Sequence, residues 1–205
     1  MIGILSVGAG NIGSLQNAIF NLGFDTRLVS NVDDFALISH LVLPGVGSYS
    51  TAMSDLRSRN LDSQILDYAL SGKPLLGICL GMQLLSTSGE EGSLCQGLGL
   101  IPGRVVKIPH SDNLRVPHMG WNDIHVNRHH PIFDGVRPGV DFYFVHSYHF
   151  IADTDDSIIS SVDYGLQITA AIGFNNVVGT QFHPEKSQKN GIRILENFCL
   201  WDGKC

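Results

Sequence analysis

The chain has 205 residues, 43% of them hydrophobic and 16% charged, with a net charge of −6. That is enough for one sizeable core, so residues 1–205 are read as a single domain. The acidic balance and the lack of a basic patch argue against nucleic acid or an anionic membrane surface as the main partner. No apolar run approaches a membrane span, and the start Met1–Val7 lacks the basic and small-residue flanks of a signal peptide, so a cytoplasmic location is expected.

In chain order, residues 2–7 read as a strand, followed by Gly8-Ala9-Gly10-Asn11-Ile12-Gly13 and a helix with Ile12, Leu15, Ile19 and Leu22 on one face. This is a literal G-x-G-x-x-G between strand and helix, the pattern of a dinucleotide site. Such a site also needs an acidic residue at the end of the second strand. That strand, Phe24–Val29, ends instead at Ser30-Asn31, and Asp33 and Asp34 fall in the first turn of a short helix capped by Asn31. A dinucleotide-binding oxidoreductase is therefore the alternative of another class. The favoured reading of the glycines is a tight turn that presents Asn11 at the carboxyl end of the sheet.

A strand at Leu41–Leu43 runs into Pro44-Gly45-Val46-Gly47, whose backbone N–H groups can serve an oxyanion if the loop lies beside a nucleophile. Helices are predicted at Ser50–Arg57 and Asp62–Leu70. Then Pro74-Leu75-Leu76-Gly77-Ile78-Cys79-Leu80-Gly81-Met82-Gln83 carries an apolar strand into a cysteine with a glycine two residues to either side and a helix beyond. Gly-x-nucleophile-x-Gly is the pattern of a sharp strand-to-helix turn that raises its central side chain from the sheet, and Cys79 is the candidate nucleophile. The alternation up to residue 85 predicts a doubly wound α/β fold, flavodoxin-like, with a mostly parallel sheet.

Gly89–Gly99 reads as a loop. Strands are then predicted at Gly103–Ile108, Trp121–Val126, Phe142–His149, Ser157–Val162, Gln167–Phe174 and Val177–Phe182, an antiparallel addition in the C-terminal half with a tight turn at Asn175-Asn176. His183-Pro184-Glu185 follows; in extended chain, residues two apart share a side, so an imidazole and a carboxylate point together. With Cys79 they supply a nucleophile, a base and a group to orient the base. From Ser187 a helix is predicted with Ile192, Leu195, Phe198 and Cys199 facing the core. The spacings of cysteine and histidine, including His129-His130 and His146-x-x-His149, give no metal site.

The segments around Cys79 and Gln181-Phe182-His183-Pro184-Glu185 resemble those of the class I, triad-type glutamine amidotransferases. Gly8–Asn11, Pro117–Asn122 and Tyr143–Tyr148 are similar to the glutaminase subunits of imidazole glycerol phosphate synthases, and the likeness spans nearly the whole chain. The resemblance implies a glutaminase without a cofactor. Cys79 would form a γ-glutamyl thioester, His183 would protonate the departing ammonia and later activate water, and Glu185 would orient His183. Backbone N–H groups near Val46, flanked by Gly45 and Gly47, and at Leu80 would hold the oxyanion, with allowance for a peptide flip at the first when the partner binds its own substrate. Gly47, Gln83, His146, Ser147 and Tyr148 would line the glutamine pocket.

The implied partner is the (β/α)8-barrel cyclase of histidine biosynthesis, joined as a heterodimer across Asn11, Pro117, Met119, Trp121 and Tyr143, through which ammonia passes away from water. A paralogous subunit feeding a synthase that amidates surface sugars is the alternative within the family.

Overall fold

The computed structural model describes residues 1–6, 12–110 and 114–204. The first half alternates as expected: β1 (Ile2–Leu5), α1 (Ile12–Asn21), β2 (Thr26–Val29), β3 (His40–Gly45), α2 (Tyr49–Ser58), α3 (Leu61–Leu70), β4 (Leu75–Cys79) and α4 (Leu80–Leu84). Short strands β5 (Ser88–Gly89) and β6 (Cys95–Gln96) fall in and beside the segment expected to be only a loop. Then come β7 (Gly103–Lys107), β8 (His118–Asp123), β9 (His125–Val126), β10 (Asp141–His146), β11 (Tyr148–Ala152), β12 (Ile158–Asp163), β13 (Gln167–Phe174), β14 (Val177–Thr180) and α5 (Gln188–Leu200).

The main sheet runs β2-β1-β3-β4-β14-β13-β12-β9. Its first five strands are parallel, and the remaining three extend it in antiparallel order. Successive residues of a central strand enter different cores: Leu41 and Leu43 pack with α2, α3 and α4, whereas Val42 packs with α1 and α5. Burial on both faces explains why β3 and β4 are unbroken apolar runs rather than alternating ones. Each such side chain contributes about 1.5–3 kcal/mol when fully buried.

Two strands expected to be continuous are divided. Trp121–Val126 separates at Ile124 into β8, which pairs with β10 in a two-stranded ribbon, and β9, which closes the main sheet. Phe142–His149 separates at Ser147 into β10, in that ribbon, and β11, in the sheet β11-β7-β5-β6. Burial alternates within β8 and within β10 and loses its phase at each break, where Ser147 and Tyr148 are both half-buried and His125 and Val126 are both exposed. Side-chain alternation by itself does not encode which sheet a strand joins. On α5 the buried residues are Ile194, Leu195, Phe198 and Cys199, while Ile192 is only partly buried. Burial pushes the Cys199 thiol up to about 12, in keeping with a packing role.

Asn31 caps the 3-10 turn Val32–Leu37, with Asp34 completing the box. The Asp34 carboxylate is engaged by the N–H groups of Ser30 and Asn31 and by Arg27 at 3.0 Å, so it acts as a structural group at the end of β2. Gly8, Gly10 and Asn11 lie outside the described residues. Among the described residues no helix is long and apolar enough to cross a membrane.

Candidate active site

Cys79 ends β4 at φ 54°, ψ −108°, in the left-handed region that a side chain with a β-carbon normally avoids. The two flanking glycines make the turn possible by close approach rather than by unusual dihedrals. A β-carbon on Gly77 would lie 2.6 Å from the Gly81 carbonyl oxygen, and one on Gly81 would overlap the carbonyl oxygen of Leu43 in β3.

The register of the parallel sheet brings the second motif to the same edge. Thr180 of β14 stands beside Ile78 of β4, so the chain leaving β14 delivers His183 next to Cys79. His183 is buried, and its Nδ1 lies 2.9 Å from Glu185 Oε1, which leaves Nε2 for the sulfur. Burial pulls the imidazole pKa down, but Cys79 and the Glu185 carboxylate, as acceptors of its protons and as nearby negative charge, outweigh it and raise His183 to about 9. Glu185 Oε2 has no donor among the described residues, so the carboxylate is directed at the ring. Ser187 locks the arrangement: its Oγ donates to the His183 carbonyl at 2.7 Å and accepts the Tyr143 N–H at 3.0 Å.

These groups open onto a cavity of about 320 Å³, the size suited to a small metabolite. Gly45, Val46, Gly47, Leu80, Gln83, His146, Ser147 and Tyr148, all singled out from the sequence, line it together with Cys79 and His183. Gly47 holds φ 107°, a value that favours glycine, and Val46 is exposed at the mouth. Gln83 donates through Nε2 to the Tyr148 carbonyl at 2.9 Å and to Gln181 Oε1 at 3.0 Å. His146 and His149, three residues apart, fall in different sheets.

On the ribbon, Trp121 opposes Tyr143 and Met119 opposes Val145, so these four side chains share a face; Val145 and Pro117 reach the cavity. Met119 and Trp121 are exposed, 61% and 47%, which is unusual for such large apolar groups side by side. Lys186 lines the cavity and sits 5.7 Å above the Tyr143 ring.

Sequence reasoning missed Glu91, the one acidic side chain among the described residues that line the cavity. It lies in the segment taken for a plain loop. Its Oε2 accepts the Tyr49 N–H at 3.0 Å, and burial raises its pKa.

The family model for class I glutamine amidotransferases matches residues 4–201. The chain belongs to this family. This class I glutamine amidotransferase is 45% identical over 201 residues to the imidazole glycerol phosphate synthase subunit HisH of Sulfurimonas denitrificans, covering 97% of each chain. It is 41% identical over 201 residues to the subunit of the same name from Desulfitobacterium hafniense, covering 98% of this chain and 94% of the relative. A crystal structure described as a glutamine amidotransferase has the same fold at 18% identity, with a TM-score of 0.77 and 98% of each chain covered.

Proposed function

We propose that this chain is the glutaminase subunit of an imidazole glycerol phosphate synthase, releasing ammonia from L-glutamine for a cyclase partner in histidine biosynthesis. The observation that carries the chemistry is a strained cysteine at a strand-to-helix turn, faced by a buried imidazole that is itself held by a carboxylate. The pathway rests on near full-length identity to relatives named as that subunit.

Cys79 as thiolate attacks the side-chain amide carbon of glutamine. The backbone N–H groups of Val46 and Leu80 receive the charge that develops on the amide oxygen. His183, kept protonated by its neighbours, gives its proton to the nitrogen as the C–N bond breaks, and ammonia leaves behind a thioester. The now neutral His183 takes a proton from water, whose oxygen attacks the thioester, and glutamate departs as the thiolate is restored. Glu185 keeps the imidazole oriented and offsets its charge. Glu91 is placed for the α-ammonium of the substrate, while Ser147 and Tyr148 line the wall available to the α-carboxylate.

The apolar face of Met119, Trp121 and Tyr143 beside the cavity mouth fits a docked partner that takes ammonia before it meets water, with a (β/α)8-barrel cyclase as the occupant. Ammonia release measured with and without the cyclase and its ribonucleotide substrate tests the whole reading. Strong stimulation that disappears in Cys79→Ala, with a loss of several orders of magnitude, is expected. Full activity in Cys79→Ala would falsify the chemistry. Indifference to the cyclase would move the chain to another synthase, such as one amidating surface sugars.

A further inference from the structure

Hydrogen bonds run without interruption from the first residue of β8 to the sulfur of Cys79, and the chemistry of each group sets their direction. The Tyr148 carbonyl can only accept, so His146 Nδ1, 2.8 Å away, carries a proton. Burial holds both His146 and His118 neutral, pushed down to about 3 and about 4. His146 Nε2 is therefore bare, and His118 Nδ1, 3.0 Å from it, is the donor. The His118 ring is clamped between Phe144 and Tyr164, with centroids 4.7 and 3.9 Å away.

From the Tyr148 carbonyl the chain continues through Gln83, whose second amide proton goes to Gln181 Oε1. That bond fixes the Gln181 amide the other way round, with Nε2 facing Cys79 Sγ at 3.7 Å. Gln181 is fully buried, one residue beyond β14. On another side the Val145 carbonyl lies 3.8 Å from the sulfur, where it favours the protonated thiol. The Gln181 amide opposes that preference with a donor that cannot give up its proton.

We propose that Gln181 is a further catalytic residue, donating its side-chain N–H to the Cys79 thiolate. His118 is the positioning residue that holds the donor network from the strand bearing Met119 and Trp121. The proposal rests on the reading of Cys79 as the nucleophile. A donor of this kind keeps the sulfur ionised for attack and stabilises it again when the thioester breaks, since a better-stabilised thiolate leaves faster. It also ties the ribbon that carries the exposed apolar face to the reacting atom through two hydrogen-bonded runs that meet at the Tyr148 carbonyl, which accepts from His146 on one side and Gln83 on the other.

The test reads the alkylation rate of Cys79 by iodoacetamide across pH, followed on its peptide by mass spectrometry, beside kcat and KM for glutamine in the assembled enzyme. The titratable groups facing the sulfur are His183 backed by Glu185, and across the cavity Glu91, His146, Tyr148 and Lys186. None of these is altered by the variants. Gln181→Met, which removes the donor at similar volume, is expected to slow alkylation at neutral pH and lower kcat by about tenfold or more, with KM within about twofold. His118→Phe keeps the ring stack but not the donor and should lower both readouts roughly threefold to tenfold. His118→Asn, whose amide nitrogen stands where Nδ1 stood, should restore them although the stack is lost.

Equal behaviour of the Phe and Asn variants, or unchanged alkylation in Gln181→Met and His118→Phe while Cys79 is still required for ammonia release, overturns the proposal alone. Ammonia release by Cys79→Ala overturns the nucleophile assignment and the proposal with it. If Gln181→Met does not fold, the His118 pair decides.

Discussion

Replacing Glu91 by Gln separates two jobs that one carboxylate performs. Its Oε2 accepts the N–H of Tyr49, the first residue of α2, and the same side chain faces the cavity. Gln preserves an acceptor for Tyr49 and removes the charge. An ammonium about 4 Å from a carboxylate near a protein surface gains about 4 kcal/mol at an effective dielectric of about 20. Desolvation reduces that to the roughly 1.5–3 kcal/mol usual for a hydrogen bond to a charged group. KM for glutamine should therefore rise about tenfold to a hundredfold. The α-ammonium lies far from the scissile amide, so it is held equally in ground and transition states and kcat should stay nearly constant. Steady-state ammonia release in the assembled enzyme measures both. Glu91→Ala should show the same KM and in addition lose the cap on α2, about 1 kcal/mol, seen as a thermal midpoint lower by about 2–4 °C. A KM within twofold of wild type in Glu91→Gln would refute the placement of the ammonium.

Adding a methyl group by Gly81→Ala drives a β-carbon into the Leu43 carbonyl in β3, so the denaturant midpoint should fall by the equivalent of about 3 kcal/mol or more, with activity lost; a stable, active variant would contradict the turn geometry. With His183 raised to about 9, the protonated imidazole needed to expel ammonia persists through neutral pH, and kcat/KM should decline only as pH climbs past about 9. An alkaline limb centred near 6.5 would count against it. Acid acts on other histidines: His118, His130 and His146 have folded pKa values of about 4, 4 and 3 against about 6.5 when unfolded. The unfolded chain thus binds more protons below 6.5, and the stability these groups lend, present above 6.5, should drain away as pH falls toward 4; a melting temperature that is flat over that window would rule this out. Ser187→Ala removes the bridge between the His183 carbonyl and the Tyr143 N–H, and should lower kcat more than it raises KM, read in the same ammonia assay.

Local chemistry was enough to pick out the strand-to-helix turn at Cys79, the His183–Glu185 pair, the Gly45–Gly47 loop that lines the cavity and the parallel first half, because each is written in neighbouring residues. A cysteine between two glycines after an apolar run has few structural uses besides this turn. The divided strands at Ile124 and Ser147 were hidden because the residues on both sides of each break are strand-compatible, while the pairing partner changes only in the assembled sheets. Glu91 was hidden for another reason, since nothing in its loop marks it; Gln181 and His118 lie inside segments the resemblance singles out, but the partners they contact are far along the chain.

The sequence by itself determined which chemical groups are present, a thiol, an imidazole and a carboxylate in recognisable motifs, while their surroundings set how reactive each is. Only the tertiary structure decided that they meet. Parallel pairing of β14 with β4, in a register that sets Thr180 beside Ile78, places two motifs a hundred residues apart within reach of a proton. Register is fixed by burial on both faces of that sheet, a property of the packed whole that no single segment carries.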